Sequence, residues 1–339
     1  MTDSAFAFGL GVGTHNSAGQ WLEVFFPQPL LAPSAAIAAA AAPYDSGQAL
    51  TREQLQQLQH TLTESGEAGQ ADLARQFLDS QQPIVAVLLD TDRAPGNVPE
   101  GYLKLHLLSH RLVEPHGTSL EGLFGILPNV AWTSEGAIDI GELPARQLAA
   151  RLRGEVLEVS CVDKFPKMTN YVVPVGVRIA HTARVRLGAH LGEGTTIMHE
   201  GFVNFNAGTA GPGMIEGRIS AGVMVGAGSD LGGGCSTMGT LSGGGNIIIS
   251  VGKECLIGAN GGIGIPLGDR CTVEAGLFIT AGTKVTMLDA DGMPVETTRA
   301  RDLAGKSDLL FRRNSTTGAV ECLTNRSAVE LNEELHAHN

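Results

Sequence analysis

The sequence predicts an α/β N-terminal domain over residues 1–165, a parallel β-helix over 166–288 and a small C-terminal capping segment over 289–339. Three observations carry this reading. Apolar residues recur at helical spacing in the first part of the chain, aliphatic residues recur every six positions from Val173 onward, and 45 glycines lie in 339 residues without collagen's three-residue period. So much glycine implies many tight turns or close backbone approaches.

In the N-terminal region, "TREQLQQLQHTL" offers Thr51 as an N-cap and sets Leu55, Leu58 and Leu62 on one helical stripe. A second helix is expected in "QADLARQFLDS", a buried strand in "PIVAVLLD" and a further helix in "GYLKLHLLSHRLV". "LPARQLAARLRG" starts a helix with Pro144 and stops it at Gly154. "FGLGVGT" does not fit the G-x-G-x-x-G dinucleotide fingerprint, and Trp21 to Phe26 reads as a strand, so Gly9, Gly11 and Gly13 are expected to form a hairpin turn between two strands.

Val173, Ile179, Val185, Leu191, Ile197 and Val203 fall six residues apart, each followed four places later by another residue of a repeating slot: Val177, Ala183, Ala189, Thr195, Gly201 and Ala207. The beat resumes at Ile219, Val225 and Leu231, again at Val251, Ile257 and Ile263, and after a two-residue slip at Leu267, Val273, Ile279 and Val285. A six-residue period with inward aliphatics is the hexapeptide signature of a parallel β-helix. Three hexads per triangular coil, as in the left-handed β-helices this pattern resembles, give about five coils. The breaks at 209–214 and 238–246 are expected to be loops leaving the wall, on the face where such solenoids bind ligands. Flat outer faces and open ends call for caps and self-association.

The net charge of −12 argues against a nucleic-acid partner. No apolar run reaches the ~18 residues that cross a bilayer, and "MTDSAFAFGLGVG" lacks a basic start and a cleavage pattern, so no membrane partner and a cytoplasmic location are expected. Cys161, Cys235, Cys255, Cys271 and Cys322 are odd in number, widely spaced and without a CxxC pair, and are expected to be reduced core residues.

"EGFVNFNAGTAGPGMIEGRISAGVMVGAGSDLGGG", "LSGGG", "GANGGIGIPLGD", "VEAGLFITAGT" and "LLFRRNS" together resemble the tetrahydrodipicolinate N-succinyltransferases, in their longer, actinobacterial-like branch. The likeness is close over about residues 155–339 and looser before them. It implies a left-handed parallel β-helix, a homotrimer, succinyl-CoA as acyl donor, and a place in the succinylase route to diaminopimelate and lysine.

Acyl transfer to an amine needs a group to take a proton and a way to stabilise the oxyanion. Glu216 matches the family's catalytic glutamate, as a base for the ammonium or as a nucleophile that forms a transient acyl anhydride. Arg218 projects to the same side of a strand, and its planar fork suits a substrate carboxylate. Gly233, Ser236, Ala259, Glu274 and Ala275 match ligand-site positions on successive coils, and Arg299, Arg312, Arg313, Asn314 and Ser315 supply coenzyme contacts by the same resemblance. In the family a carboxylate at Glu200 helps hold a magnesium ion on the trimer axis with an earlier aspartate. Ala183 stands at that aspartate's place, so the ion is expected to be structural and dispensable. His181, His190 and His199 do not reproduce the closely spaced pair of the γ-class carbonic anhydrases, which share the fold. Two other functions compete: an acetyl-CoA-dependent N-acyltransferase of this fold, and a non-catalytic trimeric β-solenoid.

Overall fold

The structure is a computed structural model and describes residues 5–239 and 247–324. Two compact units change over at Val172/Val173, with Glu114–His116 and Lys167–Thr169 counted in the second.

The first unit is built on the strand Ala7–His15, which pairs antiparallel with Trp21–Phe25 on one side and Ile84–Leu89 on the other. The helix Arg52–Glu64 opens with a capping box between Thr51 and Gln54, and buries Leu55, Leu58 and Leu62 as its spacing predicts. These leucines pack with Phe8, Leu10 and Ile84 and with the helices Ala35–Ala41 and Ala68–Phe77. A smaller antiparallel sheet sets Val130–Thr133 between Gly136–Asp139 and Val159–Asp163, with the helix Leu143–Leu152 ending at Gly154 in the left-handed region.

The glycines of "FGLGVGT" lie inside the first strand, while the turn of the hairpin falls after His15. The expectation of a glycine turn is corrected by packing. A Cβ on Gly9 or Gly11 would meet the Phe26 ring at 2.6 and 2.7 Å, and one on Gly13 would stand 2.2 Å from the Glu23 carbonyl oxygen. Glycine is there to let an aromatic ring and a neighbouring strand approach the backbone.

The helix Val98–Ser109, capped by Asn97, is buried along almost its whole length and brings polar groups with it. Glu100 accepts from Arg93 at 2.7 and 2.8 Å, from Ser46 at 2.6 Å and from the Gly96 amide at 2.7 Å. Lys104, fully buried, donates to Asp92 at 2.6 Å and to the Arg93 carbonyl. Buried charges persist because each is paired and hydrogen-bonded.

The second unit winds through three parallel walls, as the hexads require. The first wall stacks Arg178–Ile179, Thr195–Ile197, Gly213–Ile215, Asp230–Leu231, Leu256–Ile257 and Thr272–Val273. The second stacks Phe202–Val203, Arg218–Ile219, Ser236–Thr237, Gly262–Gly264 and Phe278–Thr280. The third stacks Ala189–Leu191, Ala207–Thr209, Met224–Val225 and Ser250–Val251. From Val185 to Val285 every hexad aliphatic points inward and is at most 3% exposed. Burial of such a side chain stabilises the fold by about 1.5–3 kcal/mol.

Three expectations change here. Val173 is 72% exposed, so the first hexad does not begin the prism; Ile179, half-buried, lies on its first rung. Residues 209–214 do not leave the wall. Thr209 ends one strand, Gly213 begins the next, and both Thr209 and Ile215 are buried, so the beat runs on with a hydroxyl in an aliphatic's place. The Thr209 hydroxyl is satisfied by Thr195 Oγ1 at 2.7 Å. The other proposed loop, 238–246, lies from 240 onward outside the described residues. Cys235, Cys255, Cys271 and Cys322 are buried as expected, whereas Cys161 is exposed on the edge strand Val159–Asp163.

Beyond Phe278–Thr280 the chain forms two hairpins, Lys284–Leu288 with Pro294–Arg299 and Leu309–Arg313 with Val320–Thr324. The strand Leu309–Arg313 adds in parallel to Thr272–Val273, extending the first wall.

Candidate active site

Five coils cross the corner between the first and second walls, and one crosses it differently. Ile197 to Phe202, Leu231 to Ser236, Ile257 to Gly262 and Val273 to Phe278 each leave four residues between the strands, whereas Ile215 to Arg218 leaves only Glu216 and Gly217. The break that the sequence shows after Met214 is therefore a two-residue shortening of this corner. Glu216 sits at its apex.

A corner this short lies against the coil above. The Glu216 amide donates to the Leu231 carbonyl and the Arg218 amide to the Cys235 carbonyl, both at 2.8 Å. A Cβ on Gly217 would stand 2.3 Å from Cys235 Sγ, so only glycine fits. The half-buried Glu216 carboxylate is carried toward Gly233, where a Cβ would stand 3.5 Å from its Oε2. Arg218 is exposed and in register with Ser236, and its guanidinium donates to Ser236 Oγ from Nη2 at 2.8 Å and from Nε at 3.2 Å.

Cys235 is the other group at this corner with nucleophilic chemistry, and it is silent. Burial pushes its thiol up to about 12, with the nearby Arg218 charge opposing and Glu216 adding to the shift. A thiol held protonated neither attacks nor leaves.

Gly233, Ala259 and Ala275 form one column, joined by hydrogen bonds from the Asn260 amide to the Gly233 carbonyl at 2.9 Å and from the Gly276 amide to the Ala259 carbonyl at 2.8 Å. Small residues keep this corner shallow along three coils. Beside the column, Glu274 accepts from the Arg313 amide at 2.6 Å. Two coenzyme candidates have partners inside the chain: Arg312 donates to Glu321 at 3.0 Å and Asn314 donates to it at 2.7 Å, and together they hold the Glu321 carboxyl below the usual carboxylate range. The Arg313 side chain donates to the Gly318 carbonyl at 3.1 Å, and Ser315 is exposed on the same turn. Arg299 stands apart, on the first terminal hairpin, paired across it with Lys284.

Glu200 lies on the corner one coil below Glu216. Its backbone carbonyl accepts from Arg184 at 2.7 Å, leaving an exposed carboxylate. Ala183 adds no oxygen, and among the described residues no three His, Cys, Asp or Glu side chains of one chain converge on a point. One carboxylate per chain does not by itself complete a six-oxygen magnesium shell.

The structure thus brings Glu216, Arg218, Gly233, Ser236, Ala259 and Ala275 to one corner. Gly217 and Cys235, which shape it, were not singled out from the sequence as site residues; Cys235 was expected only as a core thiol. Their signal was the four-residue step from Ile215 to Ile219, where six is the rule.

Residues 127–167 match the family described as tetrahydrodipicolinate N-succinyltransferase middle, and residues 248–281 match the hexapeptide repeat of succinyl-transferase. A Pseudomonas putida protein named 2,3,4,5-tetrahydropyridine-2,6-dicarboxylate N-succinyltransferase is 66% identical over the whole of both chains. The chain belongs to the tetrahydrodipicolinate N-succinyltransferase family. A Vibrio cholerae member with the same name is 62% identical over 98% of this chain and 99% of its own. A solved Campylobacter jejuni structure, described as a 2,3,4,5-tetrahydropyridine-2-carboxylate N-succinyltransferase, superimposes with a TM-score of 0.87 at 34% identity, covering 96% of this chain and 94% of that one. The similarity to the Pseudomonas putida N-succinyltransferase covers the N-terminal unit as well as the prism, and the family match at 127–167 falls in the N-terminal unit, where the sequence motifs had shown only a looser likeness. The fold is the parallel β-helix that the hexads implied, left-handed as the family resemblance implied, and preceded in the chain by the α/β unit.

Proposed function

We propose that this protein transfers the succinyl group of succinyl-CoA to the amine of the ring-opened amino-keto form of tetrahydrodipicolinate, in the succinylase route to diaminopimelate and lysine. The observation that carries this reading is the shortened corner that presents Glu216 beside Arg218 and the shallow Gly233, Ala259, Ala275 column.

The acceptor amine attacks the thioester carbonyl to give a tetrahedral oxyanion. The Glu216 carboxylate takes the proton that the nitrogen loses, the C–S bond breaks, and the thiolate leaves to be protonated as free coenzyme. Arg218, steadied by Ser236, offers its remaining donors to a carboxylate of the acceptor or of the succinyl group. That terminal carboxylate separates succinyl from acetyl, so a dedicated arginine favours the larger donor. The family match supports acyl transfer over a purely structural solenoid.

The working form is proposed to be a homotrimer, in which three prisms cover one another's flat walls and form three equivalent grooves. No helix of the described residues is long and apolar enough to cross a membrane, and an enzyme using a coenzyme A thioester is proposed to work in the cytoplasm. Glu274, Arg299, Arg312, Arg313, Asn314 and Ser315 are proposed to border the coenzyme's path, Arg312 and Asn314 through the Glu321 network that shapes the last hairpin. Magnesium at Glu200 is proposed to be dispensable.

A thiol-release assay with an aminopimelate as acceptor analogue tests the reading. Succinyl-CoA is expected to outperform acetyl-CoA by tenfold or more in kcat/KM, about 1.4 kcal/mol or more in transition-state binding. Equal use of both donors would overturn the choice of acyl group, and thiol release from neither would overturn the activity.

A further inference from the structure

The inner column of the second wall runs Val203, Ile219, Thr237, Ile263 and Ile279, all at most 1% exposed, and Thr237 alone among them is polar. A hydroxyl enclosed among aliphatics is costly unless it is hydrogen-bonded, and valine would fill the same space without that cost. Both bonds of the Thr237 hydroxyl go to the strand that carries Arg218. It donates to the Arg218 carbonyl at 3.1 Å and accepts from the Ser220 amide at 3.1 Å.

These bonds stand in for part of the wall's ladder. Register continues from Phe202/Arg218 to Val203/Ile219 and from Ser236/Gly262 to Thr237/Ile263, but between the Arg218 and Ser236 rungs it stops after that one pair. The Asn204 and Met238 amides, one rung below and one rung above Ser220, donate to the Ile219 and Ile263 carbonyls. The Ser220 amide donates instead to a side chain, and the Ser220 hydroxyl donates to the Thr237 carbonyl at 2.7 Å. The irregularity begins directly after the corner that is two residues short, so the two hydroxyls bridge the offset that this shortening leaves.

We propose that Thr237, clasped by Ser220, is a positioning residue for acyl transfer, holding the main chain of Arg218 while the adjacent Ser236 holds its guanidinium. Strand alternation supplies the two anchors: Ser236 faces outward to the fork, and Thr237 faces inward to the backbone. Arg218 is thereby fixed at both ends, with little conformational freedom left to lose when a carboxylate binds. Thr237 touches no substrate; it acts through Arg218, and its role rests on the carboxylate-binding part given to Arg218 above.

The test measures kcat and KM for succinyl-CoA and for the aminopimelate acceptor in wild type, Thr237→Val, Thr237→Ser and Ser220→Ala, each also in the Arg218→Ala background, with melting temperature and amide exchange followed in all. Thr237→Val keeps the shape of the column. It is expected to lower kcat/KM about tenfold, through KM for the substrate whose carboxylate Arg218 binds, and Thr237→Ser to recover most of that loss. Ser220→Ala is expected to act in the same sense by about 2–5-fold. In the Arg218→Ala background, Thr237→Val is expected to change kcat/KM by less than about twofold, because the side chain it acts through is gone. A fall in melting temperature with both Michaelis constants unchanged would overturn the assignment, as would a loss that persists without the Arg218 side chain. If Thr237→Val does not fold, Ser220→Ala decides by the same criteria. If the wild type transfers no succinyl group, the proposed activity fails, and amide exchange decides the clamp: faster exchange at Ser220 in Thr237→Val than in Thr237→Ser upholds it, and equal exchange overturns it.

Discussion

The Arg218 guanidinium donates to the Ser236 hydroxyl through both Nε and Nη2, fixing the plane of its fork on the wall beside Glu216. Cross-coil register makes this possible, because Arg218 and Ser236 are opposite one another on neighbouring rungs. Ser236 is thereby a positioning residue for Arg218. Ser236→Ala is expected to raise KM for the succinyl donor or the dicarboxylate acceptor by about 3–10-fold, the scale of one modest hydrogen bond, and Arg218→Ala by more, about 1.5–3 kcal/mol in binding. Unchanged Michaelis constants in both variants would reject the role of the pair.

Glu216→Gln keeps the shape of the corner and removes the proton acceptor. Turnover is expected to fall by ~10²-fold or more with the melting temperature and coenzyme binding nearly unchanged. Turnover within threefold of wild type would exclude Glu216 from the chemistry, and a succinylated Glu216 trapped by hydroxylamine would make it the nucleophile instead.

Gly217→Ala tests the shortened corner itself. The new methyl would meet Cys235 Sγ at 2.3 Å and the Cys235 carbonyl oxygen at 2.7 Å, so the corner must move outward and carry Glu216 with it. A loss of stability of about 1–3 kcal/mol is expected, with a fall in kcat larger than any rise in KM. An active variant with wild-type kcat would show that the placement of Glu216 tolerates this shift.

His106 gives the N-terminal unit a pH dependence of known sign. Burial lowers its pKa to about 3, and its ring is fixed as the neutral form that donates from Nδ1 to the Tyr102 carbonyl at 2.8 Å and accepts from the Phe26 amide at Nε2. The neighbouring His110, stacked at 6.0 Å, is shifted in the same direction by burial. The unfolded chain takes up these protons below about 6.5 and the folded chain does not. Stability is therefore lost as pH falls from 6.5 toward 3, by up to ~1.4 kcal/mol per pH unit from His106, and His110 acts in the same direction. Glu23 works in the opposite sense, since burial raises its carboxyl. Denaturant melts of His106→Met against wild type isolate the term: the variant starts less stable at pH 7, having left the Phe26 amide unpaired, and loses less between pH 6 and 4. Parallel pH slopes would refute the assignment.

In the proposed trimer, three Glu200 carboxylates near the threefold axis would repel one another. Chelator-treated protein is expected to remain trimeric by sedimentation and active, and Glu200→Gln to keep or slightly raise the melting temperature. Trimer lost on chelation and restored by magnesium would show that other groups complete the ion's shell.

The order of secondary structure was legible in the sequence because its signals are local. Thr51 and Gln54 cap a helix through atoms three residues apart, and Ile257, Ile263 and Val273 face inward because strand alternation and a small corner residue repeat within single hexads. The motifs around Glu216 and Arg218 were legible for the same reason. What the sequence could not decide is what lies across the coils. Ile215 pairs with Ile197 eighteen residues before it and with Leu231 sixteen after it, so the two-residue shortening at Glu216 was read as a loop leaving the wall. The glycines at 9, 11 and 13 were read as a turn because the groups that need their space, the Phe26 ring at Gly9 and Gly11 and the Glu23 carbonyl at Gly13, come from residues beyond the turn. Val173 keeps the six-residue beat yet lies exposed, because no coil precedes it to cover its side chain. Periodicity determined which residues can build a wall; stacking, a contact between residues far apart in the chain, decided which corner is tight enough to present a carboxylate.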